Sequence, residues 1–431
     1  MAERIRVVQV MRPAEGGIRN HVIELVRRLP RRRCETMVVG PLDRFTRGEL
    51  SRYRVHWANL PVPGDLRLRP LREASGALRR LLTSQQADIV HAHGYVAGTT
   101  AVLALRGLPE APKLLLTAHV LPTTGSGLRG LVRATGYRLL LSRCEHVIAV
   151  SEATRDALLP IAPGVAGRST VIHNGIDPAI YRPRLDIGVK KREIGVRPEA
   201  ATVAVIGRLS PEKGVDVFLR AASLLGQEIP NVEFLIVGDG PERERLEALA
   251  HELRIGGQTV FAGERHDVPH ILATLDALVV PSLQEAFGLS ALEGLAARLP
   301  VIVSRVGGMA EVLEGAEDLT FVPPGDPEAL RDAMYAVLSS VPEGDQAEGP
   351  LVELVSGGLM SLRSLLVSET EFDLDRAGLD RRAQGPVRPP GQAPERRHAI
   401  LDRFHVNRTV EQTFHLYQRL AGAPPAAAGA A

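Results

Sequence analysis

The stretch PSLQEAFGLSALEGLAA (281–297) sets two glutamates, Glu285 and Glu293, around the start of a helix, with seven residues between them. Acidic side chains near a helix start answer the helix dipole, which is one account of both. A second account uses them as acceptors. A carboxylate has two oxygens and can take both hydroxyls of a vicinal diol such as a ribose. Glu285, in the loop that leaves the strand-like DALVVPS (276–282), would accept from sugar hydroxyls; Glu293, more than a turn into the helix, would accept from a ribose. The unpaired N–H groups of Phe287, Gly288 and Leu289 at the helix start favour an oxyanion or a sugar oxygen.

Other residues with chemical potential sit at comparable points. GRLSPEKG (207–214) follows a strand-like TVAVIG and offers Arg208 and Lys213. A planar guanidinium and a point-charge ammonium together suit a diphosphate leaving group, whose negative charge grows as its bond breaks. Two solvated loop cations are the plainer account. Gly16 and Gly17, in MRPAEGGIRNHV, fall between the first strand and its helix. Glycine there lets backbone N–H groups approach a ligand closely, although an ordinary strand-to-helix turn accounts for the pair equally well. LLLTAHV places His119 at a strand's carboxyl end, and HAHG (91–94) adds His91 and His93 at the exit of the preceding strand. No metal-ligand spacing joins these histidines, so no metal and no cofactor is expected. FDLD (372–375) reads as a solvated charge cluster.

The elements that must position these residues follow a repeated rhythm. Short apolar runs (IRVVQV, TMVVG, ADIVHAH, KLLLTAH, EHVIAVS, STVIHN) alternate with amphipathic stretches; in the first, Ile18, Val22, Leu25, Val26 and Leu29 form one helical stripe. After a Pro-, Gly- and charge-rich connection (176–200) the rhythm restarts with TVAVIG, VEFLIVG, QTVFAG, DALVVPS, PVIVS and LTFVP. The expected fold class is therefore α/β, with two doubly wound parallel sheets whose ligands bind beyond the carboxyl ends of the strands. The expected division is 1–183 for the first domain and 184–340 for the second. Residues 341–398 read as a partly disordered insertion, 403–420 as a helix returning to the first domain, and 423–431 as a disordered tail. Val406, Val410, Thr413, Phe414, Tyr417 and Leu420 line one side of that last helix.

Taken in order, EGGIRNHVIELVRRL, VIAVSEATRDAL, VIHNGIDPAIYRP, GRLSPEKG, VGDGPERERL and PSLQEAFGLSALEGLAARLPVIVSRVGGMAEVL resemble the retaining glycosyltransferases of family 4. The resemblance covers residues ~4–340 and the last helix. It implies the GT-B architecture, in which two Rossmann-like domains face each other across a deep cleft. It implies transfer of a sugar from a nucleotide-diphosphate donor to an acceptor hydroxyl with retained configuration. By the same resemblance Glu285 binds the donor sugar, Glu293 the ribose, and Arg208 with Lys213 the diphosphate. Gly16 and Gly17 close from the other domain, and His119 stands near the donor sugar. The segment 341–398 departs from the family pattern.

Bulk properties narrow the alternatives. At 431 residues the chain is too long for one core. Two cysteines form no disulfide framework, which fits a reducing, cytoplasmic setting. The N-terminus lacks a signal-peptide pattern, and no apolar run reaches the ~18 residues that cross a bilayer. Residues 1–184 carry 28 Lys/Arg against 14 Asp/Glu, and the remainder 24 against 36. A basic half suggests an anionic partner. Aromatic residues at 4% leave few stacking platforms for nucleic acid, so none is expected. An anionic membrane surface is the better candidate, through the basic amphipathic stretches 69–86 and 127–144; both also fit plain outer helices with solvated arginines. The other functional classes weighed are a nucleotide-sugar isomerase or epimerase on the same frame and a non-catalytic binding protein. A redox enzyme is disfavoured because no G-x-G-x-x-G follows a strand.

Overall fold

The structure is a computed structural model that describes residues 4–13, 16–122, 127–339 and 395–422. Two parallel sheets dominate it. The first holds β1 (Ile5–Met11), β2 (Cys34–Gly40), β3 (His56–Asn59), β4 (Ile89–His93), β5 (Lys113–Ala118), β6 (His146–Ala149) and β7 (Ser169–Val171), in the order β3-β2-β1-β4-β5-β6-β7. The second holds β8 (Ala201–Ile206), β9 (Val232–Val237), β10 (Thr259–Gly263), β11 (Ala277–Val280), β12 (Val301–Ser304) and β13 (Leu319–Val322), in the order β10-β9-β8-β11-β12-β13. Every neighbouring pair runs parallel. The α/β class with two doubly wound sheets is thus the observed one.

The central strands form where the sequence offers uninterrupted Val, Ile and Leu. VEFLIV of β9 and ALVV of β11 are buried along their whole length, as a sheet covered on both faces requires. Val22, Leu25 and Val26 of the helix Gly17–Arg28 pack beneath the first sheet. One strand escaped the sequence reading. HWAN of β3 is an edge strand of four residues, half exposed, without the apolar run that marks its neighbours.

The C-terminal part differs in detail from the single helix expected over 403–420. Two helices are present, Glu395–Arg403 and Val406–Ala421, and the first begins inside the stretch read as an insertion. Residues 340–394, FDLD included, and the tail 423–431 lie outside the described residues. Between the helices the chain changes domain. Ile400, Leu401 and Phe404 are buried among second-domain side chains, whereas Val406, Val410, Phe414, Tyr417 and Leu420 are buried against β1, β4 and β5. His405 caps the second helix through Asn407 N–H at 3.2 Å and bridges to Ile176. Gly175 makes this crossing feasible, because a Cβ there would lie 2.7 Å from the Val406 backbone.

Candidate active site

In each sheet the strand order reverses direction at one point, between β1 and β4 in the first and between β8 and β11 in the second. A crevice opens there beyond the carboxyl ends. Most of the residues singled out from the sequence fall at carboxyl ends of strands at or beside these points. Gly16 and Gly17 follow β1, His93 ends β4 and His119 follows β5; Arg208 and Lys213 follow β8, and Glu285 follows β11. Glu293 lies inside the helix Leu289–Ala296.

The second-domain half is built on close backbone packing. Arg208 is exposed, on a loop against which Gly238 lies so closely that a Cβ would sit 1.9 Å from Gly207 O. Lys213 ends a short 3-10 turn (Pro211–Lys213), and its Nζ reaches Glu285 Oε2 at 2.6 Å. Ser282 Oγ stands 3.4 Å from the same oxygen. Burial pushes the Glu285 carboxyl up, but the Lys213 ammonium, its hydrogen bond and the Phe287 N–H outweigh that and hold it below its ordinary value. The cation read as a diphosphate ligand and the carboxylate read as a sugar ligand are therefore an ion pair with each other. Gly288 caps the helix with φ 92°, and a Cβ there would meet Met309 Cγ at 2.8 Å. The Phe287 ring is turned away from the cleft, 3% exposed and edge-on to Phe404; what this residue contributes to the site is its N–H. Burial raises the Glu293 carboxyl to about 7, against the pull of a hydrogen bond from Tyr181.

The first-domain half contains an ordered histidine network. Gln9 Nε2 donates to Tyr417 Oη at 2.9 Å, so Gln9 Oε1 accepts from His93 Nε2 at 2.9 Å. His93 Nδ1 is then an acceptor and accepts a hydrogen bond from His119 Nε2–H at 3.1 Å. By the same logic Tyr417 Oη donates to His91 Nδ1 (2.6 Å), and His91 Nε2 donates to Thr117 Oγ1 (2.7 Å). Burial, with its histidine neighbours and Arg12, holds His119 well below its ordinary pKa. It is thus a neutral imidazole with Nδ1 free of this chain of bonds, able to accept from a sugar hydroxyl. His91 lies within β4 rather than at its exit and is held among core groups. His21 joins His93 and His119, and ligand atoms of the three lie within 4.8 Å of one another. No spacing between the histidines announced this cluster, because its members come from three separate elements. One signal was available: His21 is four residues past Gly17, on the same helix face.

The halves meet across the cleft. A Cβ on Gly17 would stand 3.3 Å from Leu289 Cδ1, so the glycine turn lies against the first residue of the helix that Glu285 precedes and Glu293 belongs to. Arg19, 3% exposed, reaches Glu264 at 2.8 Å and His266 Nδ1 at 3.3 Å on the second domain. Glu311 accepts from the N–H groups of Glu152 and Ala153 (3.2 and 3.1 Å). Arg19, Glu311 and Tyr181 went unnoticed in the sequence, where single residues outside the strand exits carry no mark of a cross-domain contact.

Twin parallel sheets with a cleft at their reversal points are the architecture of GT-B glycosyltransferases. The family model described as Glycosyltransferase Family 4 matches residues 15–180, and that of Glycosyl transferases group 1 matches 186–347. The chain belongs to this family and is a glycosyltransferase. It is 29% identical over 323 residues to a D-inositol 3-phosphate glycosyltransferase of Mycobacterium sp. (strain KMS), which spans 68% of this chain and 71% of that one. Two solved structures share the fold. Anabaena HepE in complex with UDP-glucose has a TM-score of 0.69 and 19% identity, covering 97% of this chain and 100% of HepE. Sucrose-phosphate synthase of Thermosynechococcus elongatus has 0.69 and 19%, covering 98% and 100%.

Proposed function

We propose that this glycosyltransferase moves a hexosyl group from a UDP- or GDP-sugar to an acceptor hydroxyl with retention of configuration and without a metal. The observation that carries the reading is the Lys213–Glu285 pair, with Glu285 four residues before Leu289, where the glycine turn of the other domain makes contact. The donor's diphosphate takes the Lys213 ammonium, with Arg208 beside it, and the donor sugar's hydroxyls take the released Glu285 carboxylate. Neutral His119 accepts a further sugar hydroxyl, and the ribose diol lies on Glu293. No carboxylate is assigned as a covalent nucleophile, in contrast to the paired acids of retaining glycosidases. The acceptor attacks from the leaving group's own face, and the departing phosphate takes its proton. The domains exclude water during transfer.

Thermal melts against UDP, GDP and ADP test the donor, since a ligand that binds only the folded state raises the melting temperature. One uridine or guanosine diphosphate is expected to stabilise clearly more than ADP; equal shifts for all three would sink the assignment. A chelator is expected to leave transfer unchanged. A metal ion in the His21, His93 and His119 cluster would have to displace the His93–His119 hydrogen bond; added Zn²⁺ is expected to give no activation, and activation by it would overturn the metal-free reading.

The acceptor side is the basic domain, which favours an anionic acceptor, and the mycobacterial relative's name makes a cyclitol phosphate the first to assay. The alternative location is a lipid surface. Leu131, Val132 and Leu139, each 64% exposed, share the helix Gly127–Arg143 with exposed Arg133, Arg138 and Arg143. Among the described residues no helix is long and apolar enough to cross a membrane. Such a face lies on anionic lipid rather than through it. Cosedimentation with phosphatidylglycerol vesicles but not phosphatidylcholine vesicles is expected, and Leu131→Glu should abolish it; equal recovery with both vesicle types would count against membrane contact.

A further inference from the structure

The linker between the domains enters the site. Pro178–Tyr181 forms a short 3-10 turn that is tied down on both flanks. Upstream, Asp177 caps the turn through Ala179 N–H at 3.1 Å and accepts from Arg28 Nη2 of the first domain at 2.6 Å. Downstream, Arg182 Nε donates at 3.2 Å to Ala296 O, at the end of the helix that carries Glu293. Tyr181, between them, is 7% exposed, and its phenol donates to Glu293 Oε1 at 3.0 Å. None of the roles assigned above to the strand exits accounts for a tyrosine on the linker.

We propose that Tyr181 is a positioning residue for the donor's ribose: its phenol fixes the Glu293 carboxylate so that both ribose hydroxyls find an acceptor. The linker thereby helps select a ribonucleotide over a deoxyribonucleotide. This rests on the reading of Glu293 as the ribose ligand. The chemistry is simple. The two hydroxyls are fixed on a ring and need two acceptor sites at a fixed spacing, whereas a glutamate side chain turns about three bonds. A carboxylate offers about four lone-pair sites, so one can go to the phenol and leave enough for the diol. The phenol also supplies the half-buried carboxylate with a donor before the nucleotide arrives, so the group need not be reorganised on binding. Asp177 and Arg182 fix the tyrosine relative to both domains, which makes the orientation a property of the assembled cleft.

The test is the ratio of dissociation constants for UDP and 2′-deoxy-UDP, or for the guanosine pair if GDP gives the larger thermal shift. Wild type is expected to prefer the ribonucleotide by about 10- to 100-fold. Tyr181→Phe keeps the ring and its packing. It should weaken ribonucleotide binding about tenfold, leave the deoxyribonucleotide within about twofold and keep a cooperative melt, with the midpoint lowered by no more than the loss of one hydrogen bond. In a Glu293→Ala background the same substitution should have no further effect, which separates coupling from general damage. If wild type discriminates and Tyr181→Phe leaves the ratio unchanged, or weakens both ligands equally, the tyrosine is only a packing residue and the inference is overturned. If wild type itself shows no preference, the ribose role of Glu293 fails first, and the inference with it.

Discussion

Lys213→Ala is expected to lower kcat by about two to three orders of magnitude, the scale of removing one donor from a site that stabilises developing negative charge. The ammonium sits on a turn packed closely against the exit of β11, since a Cβ on the adjacent Gly214 would lie 2.1 Å from Pro281 O. Lys213 neutralises Glu285 at 2.6 Å, and in the proposed reaction it would meet the diphosphate as its charge grows. The substitution therefore has two effects. It removes the leaving-group cation, and it strands a carboxylate that is only 13% exposed. Burial then acts on Glu285 without its counterion, so the carboxyl rises and the variant loses activity toward low pH earlier than wild type. Lys213→Arg should recover part of the rate, since the charge returns in a different shape. Steady-state kinetics with a melting curve for each variant decide the matter; a kcat within threefold of wild type would remove Lys213 from the mechanism.

Glu293→Ala is expected to raise the donor's dissociation constant about 100-fold, as when a buried acceptor for two hydroxyls is lost. The wild-type interaction should also depend on pH, with a definite sign. Ribose hydroxyls donate to the ionised carboxylate. Burial raises Glu293 to about 7, so the group is ionised at pH 8 and mostly protonated at pH 6. Donor affinity therefore falls as pH falls, by about tenfold between pH 8 and pH 6. Burial moves His21 to about 4 and holds His91, His93 and His119 well below their ordinary values, so these four stay neutral over that window. The nucleotide-sugar itself is the proper probe, because its diphosphate is esterified at both ends and does not titrate there. Isothermal titration of wild type and Glu293→Gln at the two pH values provides the measurement. A wild-type affinity that is flat from pH 6 to 8, or a slope that persists in Glu293→Gln, would contradict the assignment.

The sequence exposed most of the scaffold because buried parallel strands leave a dense signal. VEFLIV and ALVV can only be core, and the stripe of Val406, Val410, Phe414 and Tyr417 can only be a packed helix face. Where burial is partial the signal fades. The edge strand HWAN has no apolar run, and the helix Glu395–Arg403 emerges from a Pro- and Arg-rich stretch in which only Ile400 and Leu401 report its packing. The chemistry followed the same divide. Lys213 and Glu285 were recognisable one at a time by type and by their place at strand ends. Their contact spans 72 residues and exists only once β8 and β11 lie side by side. His21 hid because its partners are on other elements, and Tyr181 because a linker has no periodicity to read. Phe287 was read through its backbone N–H, and the sequence did not show that this N–H is directed at Glu285 while the ring packs in the core.

The central claim is that one nucleotide-sugar spans the cleft, with its diphosphate on the Lys213 side and its ribose on Glu293. A crystal structure of the protein with a non-hydrolysable analogue of the nucleotide-sugar that stabilises it most tests this directly. The expected result is a diphosphate oxygen within hydrogen-bond reach of Lys213 Nζ and the backbone of Gly16 and Gly17, with both ribose hydroxyls on the Glu293 carboxylate. A nucleotide seated elsewhere, or in the cleft with Glu293 still bound to Tyr181 alone, would contradict it.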